Sequence, residues 1–378
     1  MLLASPAAAD PARERVLAEV TRALCDKRVA LLGQTGNHGD GETFAFKAAL
    51  VRRLLTRCGY RALLFEAGMY DFVEIDRRRR MGAPTTPAML SSAIGGLWRD
   101  DREVAELVPF LHAAVRAGRL YVGGVDDNLG SAGAFYSLDA MPGELVRYLR
   151  PDDRPAARET LRRLIYADYG EAGPSARDRD AALACVAAIR KRLRRAPPDR
   201  RAELTWLLDN VASYAARLSL PSVDADAARE RAMYGNYTRI RRQLPAGTKV
   251  ILWGATVHLA RELGGGAAVS GGATLGGYVH RRAGGSAFSL AFTAQGGSVR
   301  TSRRGPPQSL PTPPADSLEA VALDPGQDIA YLSRHALARL GRRPAGILRH
   351  RYVPLDLATV ADGVVVFRRE RPPAPADE

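Results

Sequence analysis

Lysine is the scarcest of the charged residues in this 378-residue chain. Of 55 basic residues only Lys27, Lys47, Lys191 and Lys249 are lysines, so the net charge of +14 rests on arginine. With so much Ala, Gly and Pro alongside, the bias matches the arginine codons of a GC-rich genome. The runs Arg77–Arg80 and Arg190–Arg195 fall in helical patterns, and aromatics, 7% of the chain, are not interleaved with them for base stacking. The charge therefore reads as a solvated face, or as attraction of an anionic small-molecule substrate or partner, and not as a nucleic-acid surface.

Cysteine is also rare. Cys25, Cys58 and Cys185 are far apart, form no CxxC pair or disulfide framework, and sit beside apolar neighbours in helical patterns, so buried free thiols are expected. No apolar run approaches the roughly 20 residues of a membrane span. Met1–Asp10 has neither a basic start nor a hydrophobic core, so no secretory signal is read and a cytoplasmic location is expected. Gly33, Gly36 and Gly39 lack the GxGxxG pattern, and no Walker sequence is present, so no nucleotide site is expected.

The periodicity predicts an α/β fold, with a mostly parallel central sheet flanked by helices and a helical insertion covering the active-site edge. Pro11–Asp26 reads as a helix, Arg28–Leu32 as a buried strand, Glu42–Arg57 as an amphipathic helix and Ala62–Phe65 as a second strand. This order implies a right-handed parallel crossover, which would bring His38 and Glu66 to neighbouring strand ends. Leu120–Val122, Lys249–Trp253, Ala287–Phe292 and Val364–Phe367 supply further strands. Residues 1–150 are read as the first part of the core, 151–245 as the helical insertion, 246–370 as the second part of the core and 371–378 as a disordered tail.

Six histidines occur. His112 lies among apolar helix residues and reads as structural, while His280, His335 and His350 sit beside arginines at expected surface or edge positions and receive no role. His38 and His258 differ, because both follow apolar strands, where α/β proteins build ligand sites. A carboxylate neighbour holds a histidine in one tautomer and suits it to take a proton from water. Glu66, delivered by the second strand, is the candidate. The same three residues have the composition of a two-His, one-carboxylate metal site. HxxxH and HExxH spacings are absent, and no metal or cofactor is expected.

The chain resembles the erythromycin esterase-like family nearly end to end. Gly33-Gln34 … Asn37-His38-Gly39 … Glu42 is similar to the family's opening motif, and Glu66 in Leu64-Phe-Glu-Ala to its strand-end glutamate. Gly124-Val-Asp126, the helix Arg229-Glu-Arg231-Ala-Met233 … Asn236, and Trp253 … His258 … Arg261 resemble later motifs in the same order. The resemblance implies hydrolysis of an ester or lactone by a water that His38 activates, without a covalent enzyme intermediate. Glu66 and His258 would orient or share the proton. It implies that Lys47, where the family tends to carry arginine, faces the developing oxyanion or else is an exposed helix lysine, and that Glu42 holds the turn or takes part in proton transfer. Gln34, Asn37, Asp126, Arg231 and Arg261 complete the expected substrate-binding set.

Two positions depart from the family pattern. Gln34 stands where the family has an acid, with one residue inserted before His38, and Ala255 replaces the first histidine of the paired motif. An amide binds water but cannot accept its proton. Two further readings follow: a non-hydrolytic tailoring enzyme of specialised or antibiotic metabolism, using a histidine base for elimination, cyclisation or isomerisation, and a non-catalytic binder of an anionic partner.

Overall fold

The computed structural model describes residues 10–36, 38–129, 135–167, 169, 172–264, 269–301 and 305–376. The chain divides into two compact units, one of residues 1–60, 249–267 and 280–374, the other of residues 61–248, 268–279 and 375–378. The architecture is α/β, a mostly parallel sheet flanked by helices, as the periodicity predicts.

In the first unit, α1 (Pro11–Cys25) is started by Asp10, whose carboxylate accepts from Ala12 N at 2.9 Å. It leads into β1 (Val29–Gln34), every residue of which is buried. Such a run with no polar face is what helices on both sides of a parallel sheet require. After β1 comes α2 (Gly41–Arg57), whose Phe44, Phe46, Leu50, Val51 and Leu54 are buried at helical spacing. β1 lies between β4 (Lys249–Ala255) and β5 (Ala287–Ala294), parallel to both. The sheet continues with Gly363–Phe367, parallel to β5, and ends on the antiparallel Ile329–Ser333, an edge strand that the sequence reading lacks. Both edges of β1 are thereby occupied, so the strand carrying Glu66 does not flank it.

Cys25 and Cys58 form a disulfide that ties the ends of α1 and α2, which corrects the expectation of free thiols; Cys185 is free. The pairing joins two helix ends 33 positions apart in sequence. Near the C-terminus, Gly41 N–H donates to Arg371 O at 2.8 Å, and Ala376 N–H to Asp100 O at 2.8 Å.

In the second unit, β2 (Tyr60–Gly68) and β3 (Tyr121–Asp126) pair in parallel with a register shift between Phe65 and Gly68. Both strands run further than the sequence suggests. A Cβ on Gly124 would stand 2.5 Å from Ala67 O, so only glycine allows this approach. The helices Arg154–Tyr166, Ala176–Arg192, Pro198–Arg217 and Ser222–Gln243 follow. Asn236 fastens the last two of them to β3: its amide donates to Val125 O at 2.9 Å, and its oxygen accepts from Trp206 Nε1 at 2.7 Å. His112 is buried and meets Thr85, in keeping with its structural reading. No described helix is long and apolar enough to cross a membrane.

Candidate functional site

The turn after β1 is built by three constraints on a short stretch. Gly36 has φ +96°, and His38 has φ +54°, a left-handed conformation that non-glycine residues adopt rarely. A Cβ on Gly39 would fall 1.8 Å from Arg300 O, so the backbone passes too close there for any side chain. Asn37 lies outside the described residues.

Beneath the turn lies a chain of buried donors and acceptors. Lys47, fully buried on α2, sits with Nζ 4.2 Å from the centroid of the Trp253 ring and donates to Gly254 O at 3.4 Å. It also donates to Gln34 Oε1. The other face of that amide, Nε2, stands 3.0 Å from His38 Nδ1. An ammonium can only donate, so the Gln34 oxygen must face Lys47 and the amide NH2 must face the imidazole. His38 Nδ1 then accepts, and a neutral imidazole carries its proton on Nε2. Had residue 34 been a carboxylate, it would accept from an Nδ1–H instead and leave Nε2 as the bare nitrogen.

A second buried pair braces the turn. Asp40 accepts from His350 Nε2 at 2.6 Å and from Thr35 Oγ1 at 2.8 Å. Burial pushes the Asp40 carboxyl up, but the hydrogen bond and charge of His350, with Thr35 and His38 adding to them, hold it below the usual carboxylate range. Arg349 and His350 both have positive φ, and Arg349 N–H donates to Thr35 O. The Arg349 stem also fills the space above Gly36 and next to Ala255. His350 is thus a buried support and not a surface histidine, which corrects the sequence reading.

The remaining candidates of the first unit divide. Ala255 of β4 is in register with Gln34, and His258 lies three residues on, in the helical turn Thr256–Leu259. β1 and β4 therefore end level, but His258 sits in a turn that runs back along the sheet, where Thr256 Oγ1 donates to Gly33 O at 2.8 Å and Leu259 O accepts from Ser289 Oγ at 2.7 Å. Glu42 pairs with Arg13 and Arg371. The α2 N-terminus is capped by Glu370, which accepts from Glu42 N at 2.6 Å and from Thr43 Oγ1 at 2.7 Å. Burial and the Asp40 charge push the Glu370 carboxyl well up. Arg261 meets Asp362 at 2.6 Å.

Glu66 and Asp126 belong to the second unit, where Arg229 joins them. Arg229 Nε reaches Asp126 Oδ1 and Oδ2 at 3.2 and 3.1 Å, and its Nη2 reaches Glu66 Oε1 at 3.2 Å. Burial alone would lower the Arg229 pKa, but the two carboxylates raise it, and Arg229 in turn keeps buried Asp126 below its usual range. Next to it, burial and Asp126 push Asp127 up against the opposing pull of Arg217. Arg231, the arginine expected to hold substrate, is exposed. Among the described residues, no group of three or more His, Cys, Asp or Glu side chains is arranged to hold a metal ion.

The erythromycin esterase family profile matches residues 55–370. The chain belongs to the erythromycin esterase family. Its fold is shared with a crystal structure of a Bacillus cereus protein at TM-score 0.72 and 16% identity, covering 96% of this chain and 93% of that one. A succinoglycan biosynthesis protein is similar at TM-score 0.70 and 12% identity, covering 98% and 99%. A histidine-to-asparagine variant of the erythromycin esterase EreC, in its open conformation, is similar at TM-score 0.68 and 17% identity, covering 96% and 95%. No curated protein sequence matches the chain. Membership of the family supports a hydrolase of ester type acting on a small molecule. The matched span takes in Glu66, Asp126, Arg229 and His258, whereas the His38 turn precedes it.

Proposed function

We propose that this erythromycin esterase-family member hydrolyses an ester or lactone without a metal, and that its two strand-end histidines divide the work of one. The observation that carries this reading is the Lys47–Gln34–His38 chain. It favours the tautomer in which His38 offers Nε2–H, a donor suited to a developing oxyanion or to the leaving oxygen. His38 as the base, the role the family resemblance implies, would need its Nδ1–H turned against the Gln34 NH2. His258, in the helical turn after the adjacent strand, is the base we assign to the attacking water. Glu66, paired with Arg229 in the second unit, is the carboxylate proposed to serve the substrate.

The test is a panel of aryl esters and macrocyclic and small lactones, run in water enriched in oxygen-18. One solvent oxygen enters the acid product if a water attacks. His258→Ala and His38→Ala are each expected to lower kcat/KM by 10²-fold or more, the range of a positioned proton-transfer group. Turnover of no ester or lactone, or product without solvent oxygen, rejects hydrolysis in favour of the elimination or cyclisation chemistry of a lone base.

A further inference from the structure

The opposite edge of the first unit carries a cavity of about 630 Å³. Lys27 just precedes β1, Ala287 and Phe288 open β5, and Asp362 precedes Gly363–Phe367, so the cavity lies at the amino ends of three parallel strands, whereas His38 follows the carboxyl end of β1. Its volume is in the range of small-molecule sites.

Three cations from three separate segments face it: Lys27, Arg261 and Arg334. The acid among its described lining residues is Asp362. Both oxygens of that acid are engaged, Oδ1 by Arg261 Nη1 at 2.6 Å and Oδ2 by Ser289 N–H at 2.9 Å. Lys27 donates to Gly285 O at 3.0 Å and Arg334 to Ala358 O at 3.1 Å, and a carbonyl neutralises neither. Phe288 and Tyr331 provide an apolar wall.

His280, only 9% exposed, registers the resulting field. Its Nε2 is 2.9 Å from Ser289 Oγ, whose own proton goes to Leu259 O at 2.7 Å, so Nε2 carries the hydrogen and Nδ1 is turned toward Arg261 at 3.4 Å. Burial lowers its pKa to about 4; Asp362 opposes this, while Arg261, Arg334 and Lys27 add to it. The arrangement is also unlike a Ser-His-Asp nucleophile, since the serine proton is committed to a carbonyl and the carboxylate lies 3.6 Å from the same ring nitrogen as the serine.

We propose that this cavity is a second ligand site, for an organic anion. Its phosphate or carboxylate would lie among Lys27, Arg261 and Arg334, and its apolar or aromatic body against Phe288 and Tyr331. A bound anion replaces the missing countercharge and favours the imidazolium of His280, so binding takes up a proton and strengthens as pH falls from 7 to 5. The groups facing His280 and the cavity that set this dependence are Lys27, Arg261, Arg334, Asp362, His335 and Tyr331.

Isothermal titration of the full chain with phenyl phosphate, inorganic phosphate and phenol, in two buffers of different ionisation enthalpy, tests this. Phenyl phosphate is expected to bind at least tenfold tighter than either comparator, with proton uptake. Lys27→Gln and Arg334→Gln, both at the rim, each weaken it at least tenfold with unchanged thermal unfolding, and His280→Asn binds without proton uptake. Absence of saturable binding, equal binding of phenol, or binding indifferent to both rim substitutions overturns the proposal.

Discussion

Gln34 Nε2 lies 3.0 Å from His38 Nδ1, and the amide cannot turn over because Lys47 holds its oxygen from the other side. One side chain thereby decides which ring nitrogen of His38 bears the proton. Flipping the amide would set two NH2 hydrogens against an ammonium, in a place where Lys47 and Gln34 are both fully buried and water does not soften the repulsion.

Gln34→Glu is therefore expected to exchange the tautomer. A carboxylate accepts from Lys47 and from His38 Nδ1–H together, which bares Nε2. Nitrogen-15 spectra of histidine-labelled protein should show Nδ1 bare and Nε2 protonated in the natural chain, and the reverse in the variant. An Nδ1-protonated ring in the natural chain would remove the basis for assigning the base to His258.

His350 is the second partner of that turn. His350→Leu strips buried Asp40 of its main hydrogen-bond donor while Thr35 remains, a loss of about 1–3 kcal/mol for a bond withdrawn from a buried carboxylate. Because the folded-state pKa of Asp40 is depressed, its contribution to stability is present above the unfolded carboxylate pKa and lost as pH falls through the folded one. Urea unfolding at pH 7 should show the full deficit, and unfolding near pH 3 a smaller one. An equal deficit at both values would mean that the side chain matters only through packing.

What was legible in the chain was what local pattern controls. The strand, glycine turn and helix around His38 follow from periodicity and turn chemistry within thirty or so residues, and so does the α/β class. The brace was not legible, because His350 and Asp40 are 310 residues apart and the left-handed backbone at Arg349 and His350 leaves no compositional mark. The order of strands was not legible either: β1–α2–β2 reads as an adjacent pair, yet β4 and β5 take both edges of β1. Arg229 was within reach. The buried face Met233, Asn236, Tyr237 and Ile240 continues back at helical spacing to 229 and not to 231, so helix phase separates the carboxylate-bound arginine from the exposed one.

The Cys25–Cys58 bridge predicts a redox-dependent stability. With the cysteines 33 positions apart in sequence, loop-closure entropy gives about 4 kcal/mol. Cys25→Ser/Cys58→Ser, or reductant on the natural chain, should lower the unfolding midpoint accordingly. Alkylation of the denatured chain without reductant should modify Cys185 alone, whereas three modified cysteines would show that the bridge does not form.

Arg229 offers the sharpest division between structure and chemistry in the second unit. It lies against two buried carboxylates, Asp126 and Glu66, so Arg229→Met takes a cation from each and should cost about 3–5 kcal/mol. Adding Asp126→Asn removes one of the stranded charges and should restore part of that loss, giving a coupling energy of about 1–3 kcal/mol in a double-mutant cycle. Activity is expected to follow a different rule. If Glu66 serves the substrate through its charge, Glu66→Gln lowers kcat/KM while relieving Arg229 of one partner and leaving the Asp126 pair intact. Unfolding midpoint and kcat/KM measured on the same three variants separate the two roles: a Glu66→Gln protein as active as the natural chain would leave this cluster a purely structural lock.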